Sequence, residues 1–94
     1  MMKIKVKFFA LIRELAGTKE IEIECREGMK ISDLLRELTN TLPDKFREYV
    51  FEGSEVSKSL IILVNGKGIS EMKGLETELK DSDEIALLPP VSGG

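Results

Sequence analysis

The sequence contains no histidine and only one cysteine, Cys25, and this shortage narrows the chemistry open to the chain. Histidine and cysteine supply most ligands of zinc sites and iron–sulfur clusters, and histidine is the usual base of a catalytic triad. A single cysteine also excludes a disulfide within the chain. We therefore expect no bound metal or cofactor, and no nucleophile–base pair belonging to the chain itself.

The sequence also lacks long apolar runs and a large excess of one charge. No apolar stretch approaches the roughly 20 residues of a membrane span, and the start shows no signal-peptide pattern. The net charge of −3 gives no reason to expect nucleic acid or an anionic membrane as a partner. With 94 residues, 41% apolar and 33% charged, the chain is expected to form one cytoplasmic domain with a modest core.

Alternation of period two predicts two strands in the first third of the chain. In residues 3–8 apolar side chains alternate with three lysines, and in residues 19–25 apolar side chains alternate with three glutamates. The two strands are expected to pair antiparallel, with the glutamates opposite Lys3, Lys5 and Lys7. Cys25 falls on the buried side of its strand, which indicates a structural thiol rather than a reactive one.

Helical spacing appears in three places. Leu11 and Leu15 predict a short helical connection that Gly17 ends. Residues 32–42 predict the main helix, with Ser32 as its N-cap and with Pro43 as its stop. Another turn of helix is expected in residues 44–51, whereas residues 52–59 are polar and are expected to form a loop.

Two longer strands and one short strand, expected at residues 67–70, complete the pattern. Residues 60–64 form a continuous apolar run, which predicts a strand covered on both faces, and Asn65-Gly66 predicts a hairpin turn. Residues 84–88 form the last strand. The order of strand, strand, helix, strand, short strand and strand predicts an α+β fold of the β-grasp type. Its mixed sheet of four to five strands packs on one main helix, with the last strand central and beside the first.

The predicted sheet has one uncovered face that carries apolar side chains. If Ile4, Val6 and Phe8 face the helix, then Phe9 and Leu88 face away from it, together with alternate residues of the strand 60–64. An exposed apolar surface of this kind usually marks an interface. Coverage by loops remains the alternative.

The remaining candidate is the end of the chain, residues 89–94. Two prolines favour a stiff, extended backbone, and Gly93 and Gly94 carry no Cβ that would hinder entry into a narrow pocket. Six extended residues span about 20 Å. We expect a folded domain at 1–88 and a flexible tail at 89–94, with the carboxylate of Gly94 as the one reactive group. A frayed end without function is the alternative.

Several segments resemble one family. They are Lys5-Val6-Lys7-Phe8-Phe9-Ala10, Arg13-Glu14-Leu15-Ala16-Gly17, Val64-Asn65-Gly66, Asp81-Ser82-Asp83-Glu84-Ile85 and Pro89-Pro90-Val91-Ser92-Gly93-Gly94. Together they resemble the molybdopterin synthase small subunit family, whose members are β-grasp sulfur carriers related to thiamine sulfur carriers and to ubiquitin. The Pro-Pro-Val-Ser-Gly-Gly ending is the most specific part, and residues 44–59 match least.

The resemblance implies a function carried out with partners. An E1-like adenylating enzyme would use ATP to activate Gly94, and a sulfur donor would convert the carboxylate to a thiocarboxylate. Pro90, Val91, Ser92 and Gly93 would then lie in the active site of the large synthase subunit, within a heterotetramer. There the sulfur would pass to a cyclic pyranopterin monophosphate to form the dithiolene of molybdopterin. The implied interface residues are Phe9, Ile69 and Leu88.

The sequence leaves three other functions open. A ubiquitin-like modifier would be joined through Gly94 to lysine amines by the same activation chemistry. A sulfur carrier could serve thiazole or another sulfur-containing product. A β-grasp binding module could carry an inert tail, in which case removing Gly93 and Gly94 would change nothing.

Overall fold

The computed structural model describes residues 1–90, and the last four residues of the predicted tail lie outside the described part. The strands are β1 (Met2–Phe8), β2 (Glu20–Cys25), β3 (Phe51–Glu52), β4 (Glu55–Val56), β5 (Ile61–Val64), β6 (Lys67–Gly68) and β7 (Glu84–Leu88). The helices are α1 (Ala10–Ala16), α2 (Ile31–Thr41) and α3 (Asp44–Val50). Single 3₁₀ turns occupy Ile69–Glu71 and Gly74–Glu76.

The main sheet has five strands in the order β2-β1-β7-β5-β6. β7 runs parallel to β1 and antiparallel to β5, and the two outer pairs are antiparallel. The last strand of the chain is therefore central and lies beside the first, as the order of elements predicts. This is the β-grasp arrangement in an α+β fold.

The predicted charge register between β1 and β2 is confirmed. Lys3, Lys5 and Lys7 lie opposite Glu24, Glu22 and Glu20. The lysine ammonium groups lean towards neighbouring carboxylates, since Lys5 Nζ lies 4.0 Å from Glu20 and Lys7 Nζ lies 3.1 Å from Glu84 of β7. Such exposed pairs add only tenths of a kcal/mol each, so the hydrophobic core must provide most of the stability.

The core lies between the sheet and the helices. α2 buries Leu34, Leu35 and Leu38, which pack with the inward-facing residues of β1 and β7. Phe8 of β1 meets Phe46 of α3 edge to face, with ring centroids 5.7 Å apart. α3 buries Phe46 and Val50, and it confirms the further turn of helix that was expected in residues 44–51.

The start of α2 differs from the prediction, because Lys30 rather than Ser32 is the N-cap. Asp33 accepts a hydrogen bond from the Lys30 N–H at 3.0 Å, so the capping carboxylate comes from inside the first turn. The helix begins earlier because residues 29–31 pair with the segment before β7. The Ile31 N–H donates to the Thr77 carbonyl, and the Leu79 N–H donates to the Met29 carbonyl.

Two other expectations were wrong. Residues 52–59 are not simply a loop, because β3 and β4 form a short hairpin whose turn contains Gly53 at φ 67°. β5 is not covered on both faces, since Ile62 and Val64 are buried but Ile61 and Leu63 remain half-exposed. In residues 1–90 the helices cover the inner face of the sheet, so only alternate residues of β5 reach the core.

The Asn65-Gly66 turn is confirmed and ties β5 to the start of β7. Both residues have positive φ, as a type I′ hairpin requires. The Asn65 amide donates to Asp83 Oδ1 at 2.9 Å, and its oxygen accepts the Glu84 N–H at 2.9 Å. Asp83, which is only 8% exposed, also accepts the Lys80 N–H at 2.8 Å. Asn65 thus links its own hairpin turn to the turn at residues 80–83 that precedes β7.

We predict that Asn65→Ala lowers the free energy of unfolding by about 2 kcal/mol, because two side-chain hydrogen bonds are lost and Asp83 loses a donor. Urea unfolding followed by circular dichroism measures the change. Asn40→Ala is the matched control, since Asn40 is exposed on α2. It should change the free energy by less than about 0.5 kcal/mol. Equal effects of the two substitutions would contradict the role of the network.

Candidate functional site: the tail root and the outer apolar patch

The tail leaves directly from the central strand. β7 is bonded to β1 on one side and to β5 on the other, and it ends at Leu88. Pro89 is half-buried and Pro90 is exposed, so exposure to solvent increases over the two residues that follow β7. The residue that precedes the tail therefore belongs to a strand that is hydrogen-bonded on both sides. Pro89 and Pro90 have no backbone N–H, so they cannot donate further hydrogen bonds to a neighbouring strand.

Five apolar residues surround this point on the face of the sheet opposite the helices. We call Phe9, Ile61, Leu63, Ala86 and Leu88 the outer apolar patch. Ile61 lies opposite Leu88, and Leu63 lies opposite Ala86. All five remain partly exposed, and Phe9 is 42% exposed. Their strand neighbours Ile62, Val64, Ile85 and Leu87 are buried, which places the patch and the core on opposite faces.

Phe9 is held in place by its own backbone. Its N–H donates to the Leu87 carbonyl at 3.2 Å, and its carbonyl accepts the N–H groups of Ile12 and Arg13 at 3.0 and 3.3 Å. Ala10, the next residue, has φ 50°, a conformation that side-chain-bearing residues seldom adopt. This sharp turn begins α1 directly after Phe9. The aromatic ring is thus presented from a backbone that is bonded on both sides.

Charged side chains border the patch along β1. The same face of β1 and β2 carries lysines and glutamates, and Lys7 joins this charged half to β7 through its 3.1 Å contact with Glu84. The face is therefore divided into a charged half and an apolar half. A partner that docks on it meets an apolar surface beside the tail and a polar margin along β1.

The structure brings together some of the residues predicted from sequence. Phe9 and Leu88 are neighbours at the tail root, and Pro90 lies just beyond it. Ile69 does not join them, because it follows β6 and packs half-buried against the core. Val91, Ser92, Gly93 and Gly94 lie outside the described residues.

Sequence reasoning left the contribution of β5 open. It offered either Ile61 and Leu63 or Ile62 and Val64 for the outer face, and the pairing with β7 selects the first set. It also missed the positive φ of Ala10. The only signal for that turn was the abrupt change from period two to helical spacing after Phe9.

Cys25 contributes no chemistry to this site. The residue is 1% exposed, and burial, with a further contribution from Glu37, raises the pKa of its thiol. Within residues 1–90, no cluster of acidic and cysteine side chains has the arrangement needed to hold a metal ion. None of the helices in the described part is long and apolar enough to cross a membrane.

Comparison with known proteins identifies the family. A sequence profile described as the ThiS family matches residues 6–94, which is nearly the whole chain. The chain belongs to the ThiS family. The matched region begins at Val6 in β1, and it includes the outer apolar patch and residues 89–94.

Some relatives of this chain are named as sulfur carriers, and others are named as modifiers. The molybdopterin synthase sulfur carrier subunit of Escherichia coli is 33% identical, over 97% of this chain and 99% of that protein. Small archaeal modifier protein 3 of Haloferax volcanii is 32% identical, over 99% of this chain and 100% of that protein. The solution structure of small archaeal modifier protein 1 from Methanosarcina acetivorans has a TM-score of 0.82 and 45% identity. The similarity covers 100% of this chain and 98% of that one.

These findings confirm the resemblance to the molybdopterin synthase small subunits and the β-grasp fold. They also show that the ThiS family chain is similar to proteins named as modifiers. The relatives described above cover 97% to 100% of this chain, so overall similarity does not separate the two functions.

We predict that the Cys25 thiol of the folded protein reacts with a disulfide reagent at least about a hundredfold more slowly than an exposed thiol, because reaction requires local opening. The control is a Cys25→Ala protein that carries Ser59→Cys, since Ser59 is exposed. Absorbance of the released thiolate gives both rates. Equal rates at pH 7.5 would contradict the burial.

The raised pKa also fixes the sign of a pH effect. The folded state holds the thiol proton more tightly than the unfolded state. The stability that Cys25 contributes is therefore fully present below the pKa of the unfolded thiol, and it is lost as pH rises through the folded pKa. Cys25→Ala should remove this part of the alkaline loss of stability, which urea unfolding at a series of pH values measures.

Proposed function

We propose that this chain is the sulfur-carrier subunit of a molybdopterin synthase and that the carboxylate of Gly94 carries the sulfur. One observation carries the proposal: the central strand β7 ends at the outer apolar patch, and Pro89 and Pro90 follow it directly. The relative from Escherichia coli named as such a subunit supports the choice of pathway.

The body of the protein would supply recognition. A partner subunit that covers the outer apolar patch also receives the root of the tail, because Leu88 belongs to both. Phe9 is the natural anchor, since it is the aromatic residue of the patch and aromatic residues are enriched among those that contribute most to affinity. The six residues 89–94 reach about 20 Å when extended, which is enough to enter a pocket in the large subunit. We place two copies of each subunit in the assembly.

The partners would supply the chemistry. A carboxylate is a poor acyl donor, so an adenylating enzyme first joins Gly94 to AMP and releases pyrophosphate from ATP. A sulfur nucleophile then attacks the acyl carbon and displaces AMP. Sulfide yields the thiocarboxylate directly, whereas a persulfide of the donor yields an acyl disulfide, from which a second thiol of the donor releases the thiocarboxylate as the donor is oxidised to a disulfide. The thiocarboxylate sulfur attacks a side-chain carbon of a cyclic pyranopterin monophosphate in the large subunit, and the bond from that carbon to an ester oxygen of the cyclic phosphate breaks as the carbon–sulfur bond forms. Water cleaves the resulting acyl–sulfur bond and returns the carboxylate.

A second function has a specific observation in its favour. Relatives named small archaeal modifier proteins match over the full length, and one of them is 45% identical. In a modifier, the activated Gly94 is attacked by a lysine amine instead of sulfur, and AMP again leaves. Both functions share the activation step and differ only in the nucleophile that follows.

We predict that the protein, incubated with its host's adenylating enzyme, ATP and a sulfur source, gains the mass of one sulfur in place of one oxygen at Gly94. Intact mass spectrometry followed by fragmentation locates the change. Deletion of Gly94 should abolish this mass change, because the terminal carboxylate would then belong to Gly93, on a tail that is one residue shorter. An unchanged mass, with another carrier protein labelled in the same mixture, would count against sulfur transfer.

The modifier function is tested in the host cell. A tagged copy should form conjugates of higher mass that disappear when Gly94 is deleted. If the thiocarboxylate forms and no conjugates appear, the sulfur-carrier proposal stands alone. Conjugates without a thiocarboxylate would replace it by the modifier function.

We predict that Phe9→Asp weakens binding to the large subunit by about 2 kcal/mol, which is roughly thirtyfold in Kd. The substitution suits the fold, because Phe9 is the N-cap of α1 and aspartate is a favoured N-cap. Isothermal titration calorimetry measures the affinity. Asn40→Asp adds the same charge on α2, beyond the opposite face of the sheet, and should leave the affinity unchanged. Unchanged affinity for Phe9→Asp would remove the patch from the interface.

A further inference from the structure

The edge of the main sheet at β2 is a second surface with a defined pattern. Within residues 1–90, β2 pairs with β1 and with no other strand, and it is six residues long. The opposite edge, β6, has two residues and continues into a 3₁₀ turn. A regular edge strand presents unpaired N–H and C=O groups that can receive another strand. β2 is thus the principal open edge of this sheet.

The register identifies which backbone groups are free. The Phe8 N–H donates to the Lys19 carbonyl at 2.9 Å, so Phe8 and Lys19 form a hydrogen-bonded pair. By alternation, the backbone groups of Ile21 and Ile23 also point towards β1. The N–H and C=O groups of Glu22 and Glu24 therefore point outwards and have no backbone partner in the described part of the chain. The Glu20 carbonyl accepts only the Thr18 hydroxyl, at 3.2 Å.

The side chains along this edge form one acidic column. Glu20, Glu22 and Glu24 share the outer face, and Glu20 has Lys5 within 4.0 Å. Glu22 and Glu24 are exposed, and no ion pair involving them occurs in residues 1–90. On the other face of the strand, Ile21 and Ile23 are half-buried and extend the apolar core to the edge. Lys19 and Arg26 lie just beyond the two ends of the column.

We propose that the β2 edge binds an extended segment of a partner protein in which basic and apolar residues alternate. Its backbone would pair with the free groups of Glu22 and Glu24. Its basic side chains would lie beside the acidic column, and its apolar side chains would continue the layer of Ile21 and Ile23. β1 is an example of such a segment. It pairs with β2 along the opposite edge of that strand, and its lysines lie opposite the three glutamates. The flanking Lys19 and Arg26 limit the segment to about three alternations.

A second copy of this chain does not suit the edge. Antiparallel pairing of two β2 strands would bring glutamates against glutamates, and like charges opposite one another are destabilising. The site is also separate from the tail. β1 lies between β2 and β7, so a segment on this edge leaves the outer apolar patch uncovered and the tail free for another partner. The inference therefore does not depend on the sulfur-carrier function.

The test uses a capped peptide, Lys-Ile-Lys-Val-Lys-Phe, which copies β1. It is titrated into the full chain labelled with ¹⁵N. We expect amide shifts confined to β2. We also expect rapid hydrogen exchange at the Glu22 and Glu24 amides in the free protein, and slower exchange when the peptide is bound. A peptide with glutamates in place of the lysines should cause neither change. Raising the salt concentration should weaken binding, because the attraction is between exposed charges.

Two variants separate the backbone and charge contributions. Glu22→Pro removes one outward N–H but no bond to β1, and it should abolish the slowed exchange at Glu24. Glu20→Gln, Glu22→Gln and Glu24→Gln together keep the backbone and should weaken binding about tenfold. Glu14→Gln, Glu48→Gln and Glu52→Gln remove the same charge elsewhere, at exposed positions, and should have little effect.

Three results would overturn the proposal. The first is absence of shifts at millimolar peptide. The second is an equal loss of peptide affinity in the two triple variants, which would show that the peptide is attracted only by the net charge of the protein. The third is a set of shifts centred on β5 and β7, which would place the peptide on the outer apolar patch. If Glu22→Pro fails to fold, the triple variants and the exchange rates still decide the question.

Discussion

The parallel pairing of β7 with β1 is the contact on which the rest of the structure depends. It begins where the Ser82 N–H donates to the Lys3 carbonyl and the Lys3 N–H donates to Asp81, at 2.9 and 2.8 Å. It ends where the Phe9 N–H donates to the Leu87 carbonyl. Both ends of the last strand are thus tied to the first. Since the tail follows β7 without a loop, this pairing fixes where the tail begins and which side chains lie beside it.

The two faces of the sheet serve different purposes. The inner face supplies the core, where Phe8, Leu35, Phe46 and Leu87 are almost fully buried. The outer face keeps apolar groups partly exposed around the tail root, at some cost in solubility that a partner would offset on binding. No catalytic group need belong to the chain in this scheme. Under the proposed function, recognition and delivery of a terminal carboxylate are sufficient, because the partner enzymes would activate it.

The two functions considered for Gly94 differ in what attacks the activated carbonyl, and that choice rests with the partners. The body of this protein can influence the choice only by selecting which partner docks. We propose two surfaces for this selection, the outer apolar patch and the acidic edge at β2, and β1 separates them. A carrier with two separate docking surfaces can stay attached to one protein while its tail is delivered to another.

The sequence by itself determined the elements whose cause is local. Alternation in residues 3–8 and 84–88 fixed which side chains are buried, and Asn65-Gly66 fixed a turn that needs two positive φ angles. Only the tertiary structure decided that Ile61 and Leu63, rather than Ile62 and Val64, face outwards. That choice depends on the register with β7, which is a long-range pairing. The start of α2 at Ile31 also depends on a long-range contact, because the distant Thr77 carbonyl accepts the Ile31 N–H.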